Sequence, residues 1–205
     1  FIEIAQNDLV LLRLLTRFLG LRPVLIASPY EALIWAIIGQ QINIAFARKL
    51  KAALVEYGGR TLLVGDQRYL LLPLPEDVAA MDPESLRARQ FSRQKIAYLL
   101  DVSAAVASGE LDLDALAAVP HEEAIAQLTA YRGVGRWTAE YVLMRGLGAA
   151  DSIPAADVGL RSIIGRSYGL GRAATELEVR EIAAAWAPYR GWATFYWWMA
   201  LQAGY

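Results

Sequence analysis

The chain of 205 residues carries 20 basic and 21 acidic side chains, a formal net charge of −1, no cysteine and one histidine. With 56% hydrophobic residues and a mean hydropathy of +0.30 it is too apolar for a disordered polypeptide, and its length predicts one large domain or two small ones. The missing cysteines exclude disulfides, thiolate nucleophiles, zinc fingers and iron–sulfur clusters together, and His121 alone cannot build a multi-histidine metal site. No H-E-x-x-H, G-x-S-x-G or G-x-x-x-x-G-K-[ST] motif occurs, so any chemistry must rest on carboxylates, hydroxyls, amides and aromatic rings. No apolar run reaches the roughly 18 residues of a membrane span, because Glu31, Gln40, Gln41 and Asn43 interrupt the most apolar stretch. No basic, apolar, then small-residue leader opens the sequence. These features predict a soluble, cytoplasmic protein with no membrane partner.

Helical periodicity dominates from the start. Residues 7–19 place Leu9, Leu12, Leu15 and Leu19 on one stripe, predicting an amphipathic helix. Ser28-Pro29-Tyr30-Glu31 reads as a capping box with proline in the first turn, opening an apolar helix to about Ile38. Gln40-Gln41-Ile42-Asn43 breaks it, and Asn43 is placed to cap a helix running to about Tyr57. Residues 60–74, where TLLV and RYLLLP flank Gly65-Asp66-Gln67, fit either a small β-hairpin or an extended loop. Asp82-Pro83 starts a short helix, and residues 92–108 repeat with a 3.6-residue period. Further helices are predicted over Leu113–Ala118, Glu122–Tyr131, Arg136–Leu147, Val158–Arg166, Glu176–Trp186 and Arg190–Ala203, with Thr175 and Glu178 as a second capping box. The expected fold is all-α and two-lobed, one lobe from residues 28–132 and the other from 1–27 plus 133–205.

Residues 121–148 read as helix, tight turn, helix, with Gly133-Val134-Gly135 as the turn. Two glycines let the backbone adopt positive φ and approach a ligand while Val134 plugs the gap between helices. The amides at the start of the second helix, aided by the helix dipole, suit a phosphate. Gly133-x-Gly135-x-x-Thr138 is also similar to a shortened dinucleotide fingerprint, but it follows a helix rather than a strand, and a plain αα-corner uses glycines in the same way.

The run Arg132-Gly133-Val134-Gly135-Arg136-Trp137-Thr138-Ala139-Glu140-Tyr141, followed by Asp151-Ser152-Ile153-Pro154-Ala155-Ala156-Asp157, resembles the signature of the helix-hairpin-helix DNA glycosylase superfamily, and within it the 3-methyladenine DNA glycosylase II branch. The likeness extends from Ser28 to about Ala203 and includes Gly39-Gln40-Gln41 and Phe91-Ser92-Arg93-Gln94-Lys95. It implies two helical lobes with the hairpin at their junction, a catalytic Asp157 in the cleft, and a monomeric enzyme whose partner is double-stranded DNA containing alkylated bases. It implies no cofactor and allows a monovalent cation at the hairpin. The mixed α/β N-terminal domain of some members is expected to be missing, with about 27 residues ahead of Ser28.

Asp157 also stands where a helix N-cap is expected, and the two roles can coexist because the helix dipole favours negative charge there. Such a carboxylate suits an oxocarbenium-like sugar or an attacking water. Glycoside chemistry usually pairs two carboxylates, but cationic alkylated purines leave without protonation, so one is enough. Where members with lyase activity place a lysine after Arg136, this chain has Trp137, which predicts a monofunctional glycosylase. The resemblance sets Trp137 and Trp198 against a flipped base, with Tyr30, Trp35 and Tyr141 as further pocket candidates. Electron-rich rings there favour a cationic alkylpurine by roughly 0.5–2 kcal/mol over its neutral form. Most other aromatic side chains, including Trp192, Phe195, Tyr196 and Trp197, are expected in the core. The DNA surface is expected from Gly133, Val134, Gly135, Arg136 and Thr138, with Gln41 in the elbow as either a wedge filling the extruded nucleotide's gap or a helix cap. Arg132, Arg136, Arg145, Arg161, Arg166 and Arg172 supply the local basic concentration. The rival readings are a glycosylase of the same fold acting on uracil or a deaminated purine, and a non-catalytic helix-hairpin-helix DNA-binding module.

Overall fold

The computed structural model describes residues 1–205 and contains twelve α-helices and one two-stranded antiparallel sheet. In chain order these are α1 (Ile2–Ala5), α2 (Leu9–Arg17), α3 (Pro29–Gly39), α4 (Ile44–Gly58), β1 (Thr61–Val64), β2 (Gln67–Leu70), α5 (Pro75–Ala79), α6 (Pro83–Ala88), α7 (Arg93–Ser108), α8 (His121–Thr129), α9 (Arg136–Arg145), α10 (Val158–Ser167), α11 (Glu176–Ala183) and α12 (Arg190–Gln202). The all-α expectation holds, and residues 61–70 form the hairpin rather than the loop, paired from Thr61 with Leu70 to Val64 with Gln67. Leu113–Ala118 contracts to a 3-10 turn over Ala115–Ala118. No helix is long and apolar enough to cross a membrane.

The helices begin where a short polar side chain can satisfy a first-turn amide. Ser28 Oγ accepts from Glu31 N at 3.1 Å, Asn43 Oδ1 from Phe46 N at 2.8 Å, Asp82 Oδ2 from Ser85 N at 2.7 Å and Ser92 Oγ from Lys95 N at 3.2 Å. Each such cap contributes about 1 kcal/mol. The Thr175–Glu178 box closes in both directions, at 3.2 and 2.7 Å. The box at Ser28 closes in one direction only: the Glu31 carboxylate turns instead to Lys51 of α4 at 2.5 Å, because an ammonium group is a stronger partner for a carboxylate than a neutral amide.

Two apolar cores result. One runs from Tyr30 to Leu143, and the other joins Ala5–Leu15 to Ile153–Ala200. The buried Ala139, Tyr141, Val142 and Leu143 of α9 belong to the first, so the seam falls between residues 143 and 153 rather than at 132–133 as the sequence suggested. The reason is that α9 is buried from Thr138 through Met144, with α3 and α8 packed against it. A second correction concerns α2. Leu11, Leu14 and Leu15 face the core, while Leu9 and Leu19 are exposed and Leu12 is half-buried. A leucine-rich segment satisfies more than one helical stripe, and packing against α12 selects among them.

Candidate functional site

The site grows outward from α9, the helix shared by hairpin and core. Gly133 has φ +86, and a Cβ there would lie 2.2 Å from the Tyr98 ring, so only glycine fits. Val134 is buried, plugging the turn as expected. Gly135 departs from expectation: its φ is −85 and ψ 173, an extended conformation open to any residue. Nothing lies within 4 Å of where its Cβ would be, so its contribution is open space in front of the helix. α9 has no side-chain N-cap, which leaves its first-turn amides directed into that space, with the positive end of the helix dipole behind them.

The side chains expected to grip DNA here are engaged elsewhere. Arg136 donates to Glu122 at 2.7 and 3.0 Å and through Nε to Glu140 at 2.9 Å. Glu122 holds this guanidinium firmly charged and is itself pulled below its ordinary carboxylate range by it. Thr138 is buried, and its Oγ1 accepts from Gln40 Nε2 at 3.2 Å. Of the other arginines, Arg145 donates to the Val24 carbonyl, Arg161 to the Ala174 carbonyl, Arg166 to the Tyr205 carbonyl, and Arg172 pairs with Glu178. Arg132 stays exposed with no hydrogen bond or ionic partner from the protein, its guanidinium 5.9 Å from the centre of the Tyr98 ring. Of the basic concentration read from the sequence, Arg136 and Arg172 are paired with carboxylates, Arg145, Arg161 and Arg166 are tethered to backbone carbonyls with their charge intact, and Arg132 is left beside the hairpin's backbone amides.

Further along α9 the aromatic candidates assemble. Trp137 stacks on Tyr141 with ring centres 5.4 Å apart, Tyr141 meets Trp198 of α12 at 5.9 Å, and Trp198 Nε1 donates to Asp157 Oδ1 at 3.1 Å. Trp35 of α3 adjoins the Tyr141 hydroxyl and carries the Lys51 ammonium 5.9 Å from its own ring centre. Burial pushes the Tyr141 phenol above its ordinary range, as does the neighbouring charge of Asp157. Tyr30 is not part of this row. Its hydroxyl is hydrogen bonded to Ser103 of α7 at 2.8 Å, and its ring lines a cavity of about 330 Å³ with Val106 and Leu111. Trp197 is fully buried against Trp186 and Tyr168, while Tyr196 and Trp192 pack around Phe1. Trp198 is thus the one tryptophan of α12 that reaches the row.

Asp157 is the N-cap of α10, with Oδ1 accepting from Leu160 N at 2.8 Å as well as from Trp198. Its Oδ2 takes no hydrogen bond from the protein, so capping and a free carboxylate oxygen coexist in one side chain. The loop that delivers it is fastened on two sides: Ser152 Oγ donates to the Glu140 carbonyl at 2.9 Å, and Asp151 receives Arg190 of α12 at 2.5 and 2.8 Å. Glu140 itself is buried, bonding Arg136 and Arg180 through Oε1. Burial pushes its carboxyl upward although both arginines oppose the shift. No group of three or more potential metal-binding His, Cys, Asp or Glu side chains occurs.

Gln41 is exposed and adopts φ +58, unusual for a residue with a side chain. Asn43 caps α4, so Gln41 is not its cap. Gln40 and Lys95, to which the sequence assigns no role, tie this elbow down. Gln40 Nε2 donates to the Gly133 carbonyl at 2.8 Å, and Lys95 Nζ to the Gln40 carbonyl at 2.6 Å. The polar pair Gln40-Gln41 at the end of an otherwise apolar helix was the available signal.

Residues 34–188 match the family model described as HhH-GPD superfamily base excision DNA repair protein. The chain is 36% identical over 201 residues to a DNA-3-methyladenine glycosylase of Bacillus subtilis, covering 98% of this chain and 66% of that relative, slightly less than two thirds of its length. A solved 3-methyladenine DNA-glycosylase from Archaeoglobus fulgidus superposes with a TM-score of 0.87 at 30% identity, covering 98% of this chain and 68% of that one. A Schizosaccharomyces pombe 3-methyladenine DNA glycosylase in complex with abasic DNA superposes with a TM-score of 0.78 at 29% identity, covering 97% of this chain and 93% of that one.

Proposed function

The chain belongs to the HhH-GPD superfamily of base excision DNA repair proteins, and on that premise we propose that it is a monofunctional DNA glycosylase that releases alkylated purines of the 3-methyladenine type from double-stranded DNA. The observation that carries this reading is the unclaimed Oδ2 of Asp157 beside the row Trp137, Tyr141 and Trp198. A purine rotated out of the duplex stacks on the aromatic faces, and the rings favour a base that carries positive charge. As the N-glycosidic bond breaks, the base takes the bonding pair and becomes neutral while the sugar becomes oxocarbenium-like. The Asp157 carboxylate stabilises that cation, or orients the water that then adds to the anomeric carbon and loses its proton to solvent. A cationic base needs no general acid, so the one carboxylate beside the aromatic row, Asp157, is enough.

The lysines support the monofunctional assignment, because no amine is bonded into the site. The chain has three, of which Lys49 donates to Gln90, Lys51 pairs with Glu31 and Lys95 binds carbonyls at the end of α3. DNA is held through phosphate contacts to the amides at the start of α9, with Gly135 leaving room for the backbone. Gln41 enters the stack as the wedge. The enzyme acts as a cytoplasmic monomer without a cofactor, and a monovalent cation at the hairpin carbonyls would assist phosphate binding only. Base release from three duplexes, carrying methylated purines, uracil or hypoxanthine, resolved by chromatography, tests the reading. Release of 3-methyladenine is the expected result, whereas release of uracil or hypoxanthine alone, or of nothing, would overturn it.

A further inference from the structure

We propose that Gln40 and Lys95 are positioning residues that lock the Gln41 elbow to the hairpin, so that insertion of the wedge and the grip on phosphate act as one rigid unit. The inference rests on the glycosylase reading above. α3 ends at Gly39, Gln40 turns out of the helix at φ −55 and ψ 129, and Gln41 is left-handed at φ +58. A left-handed residue with a side chain costs about 1 kcal/mol or more and persists only where its surroundings demand it.

Those surroundings come from three elements. Lys95 Nζ of α7 donates to the carbonyls of Ile37 at 3.1 Å and Gln40 at 2.6 Å, closing the C-terminal end of α3, where the helix dipole favours a cation. Lys95 is buried with no carboxylate partner, an expensive arrangement for a group that served only to fill space. The Gln40 side chain then crosses to the hairpin, donating to the Gly133 carbonyl at 2.8 Å and the Thr138 hydroxyl at 3.2 Å. One turn beyond Lys95, Tyr98 of the same helix packs against Gly133. α7 thus braces the elbow and the hairpin at once, and adjacent glutamines divide the work, Gln40 anchored to the hairpin and Gln41 exposed.

The test uses Gln40→Met, which keeps side-chain length and loses the donor. Gln40→Asn, which keeps the amide but cannot reach, is the second variant in case the first does not fold. Base release is measured from methylated duplex DNA and from methylated single strands, where no pair is broken and no gap needs filling. Insertion is followed separately by the fluorescence of 2-aminopurine placed beside an abasic analogue in duplex DNA. Displacing the wedge relative to the grip should lower duplex release by about 30-fold while single-strand release stays within about threefold, and should abolish the fluorescence rise. Equal loss on both substrates, or no loss on either, overturns the coupling. Wild-type protein that raises the fluorescence but releases no base overturns the glycosylase reading and leaves the coupling standing. Wild-type protein that does neither overturns both.

Discussion

Asp8 and Asp157 occupy the same local position and do different things. Each is the N-cap of a helix, and each accepts an indole N–H from a distant tryptophan. Asp8 is saturated: Oδ1 takes Val10 N at 2.9 Å and Leu11 N at 3.1 Å, and Oδ2 takes the Tyr168 hydroxyl at 2.5 Å and Trp186 Nε1 at 2.9 Å. Burial pushes the Asp8 carboxyl up, but those hydrogen bonds together outweigh it and hold the group below its ordinary value. At Asp157 both protein donors fall on Oδ1, and Oδ2 is left for something the protein does not contain. A capping motif thus says where an aspartate sits, while the number of its oxygens already claimed says whether it can act on a ligand.

Substitution by asparagine separates the two most sharply. In Asp157→Asn the amide oxygen can keep both bonds made by Oδ1, so stability should fall by less than about 1 kcal/mol. Loss of the negative charge should lower base release by about 10³-fold while binding of undamaged DNA persists. Release within tenfold of wild type, measured in single turnovers, would return Asp157 to a purely capping role. Asp8→Asn should invert this pattern. Its new NH2 group would face two donors, Tyr168 and Trp186, costing about 2–3 kcal/mol in urea unfolding, while base release per folded molecule stays unchanged. An unaltered unfolding midpoint would mean that the saturated cap is not structural.

The two indole partners offer a finer contrast. Trp198→Phe keeps a ring beside Tyr141 but removes the donor to Asp157, and should reduce base release about tenfold, the value of one hydrogen bond to a charged group. The slope of DNA affinity against salt should not move, because stacking releases no counterions. Trp186→Phe should affect stability alone, and a matching loss of activity would erase the distinction. The smallest effect is that of pH. Because the folded-state value of Asp8 lies below its reference of 3.8, its stabilisation is present above that range and is lost as pH falls through the lower folded value. The stability difference between wild type and Asp8→Asn should therefore shrink in strong acid. A difference that grows on acidification would show the sign to be wrong.

The sequence was most legible where one or two residues decide the outcome over a short span. Ser28, Asn43, Asp82 and Thr175 marked helix starts, and each cap bond spans three residues. Val134 and Gly133 marked the hairpin turn for the reasons the structure bears out, whereas Gly135 needs no positive φ and serves through the space it leaves. Trp35, Trp137, Tyr141 and Trp198 do gather around the Asp157 side, although residues 35 and 198 lie far apart in the chain. Tyr30 has the same chemistry and went elsewhere, because its side chain leaves α3 toward Ser103 of α7 while its neighbours Pro29 and Ala32 pack on the end of α9.

What the sequence by itself determined was the all-α class, the order of the helices apart from the one-turn α1 and α5, which it missed, the tight turn and the small set of residues able to carry chemistry. Helix periods, caps and turns are governed by interactions a few residues long, and their signals survive without the fold. Only the tertiary structure decided which leucine stripe α2 buries, that Asp8 is saturated while Asp157 keeps an open oxygen, and which partners the arginines take. Arg136 meets Glu122 across 14 positions, Arg180 meets Glu140 across 40, and Gln40 meets Gly133 across 93. A long polar side chain takes the strongest partner that folding brings within reach, and that partner is set by the packing of helices rather than by its neighbours in the chain.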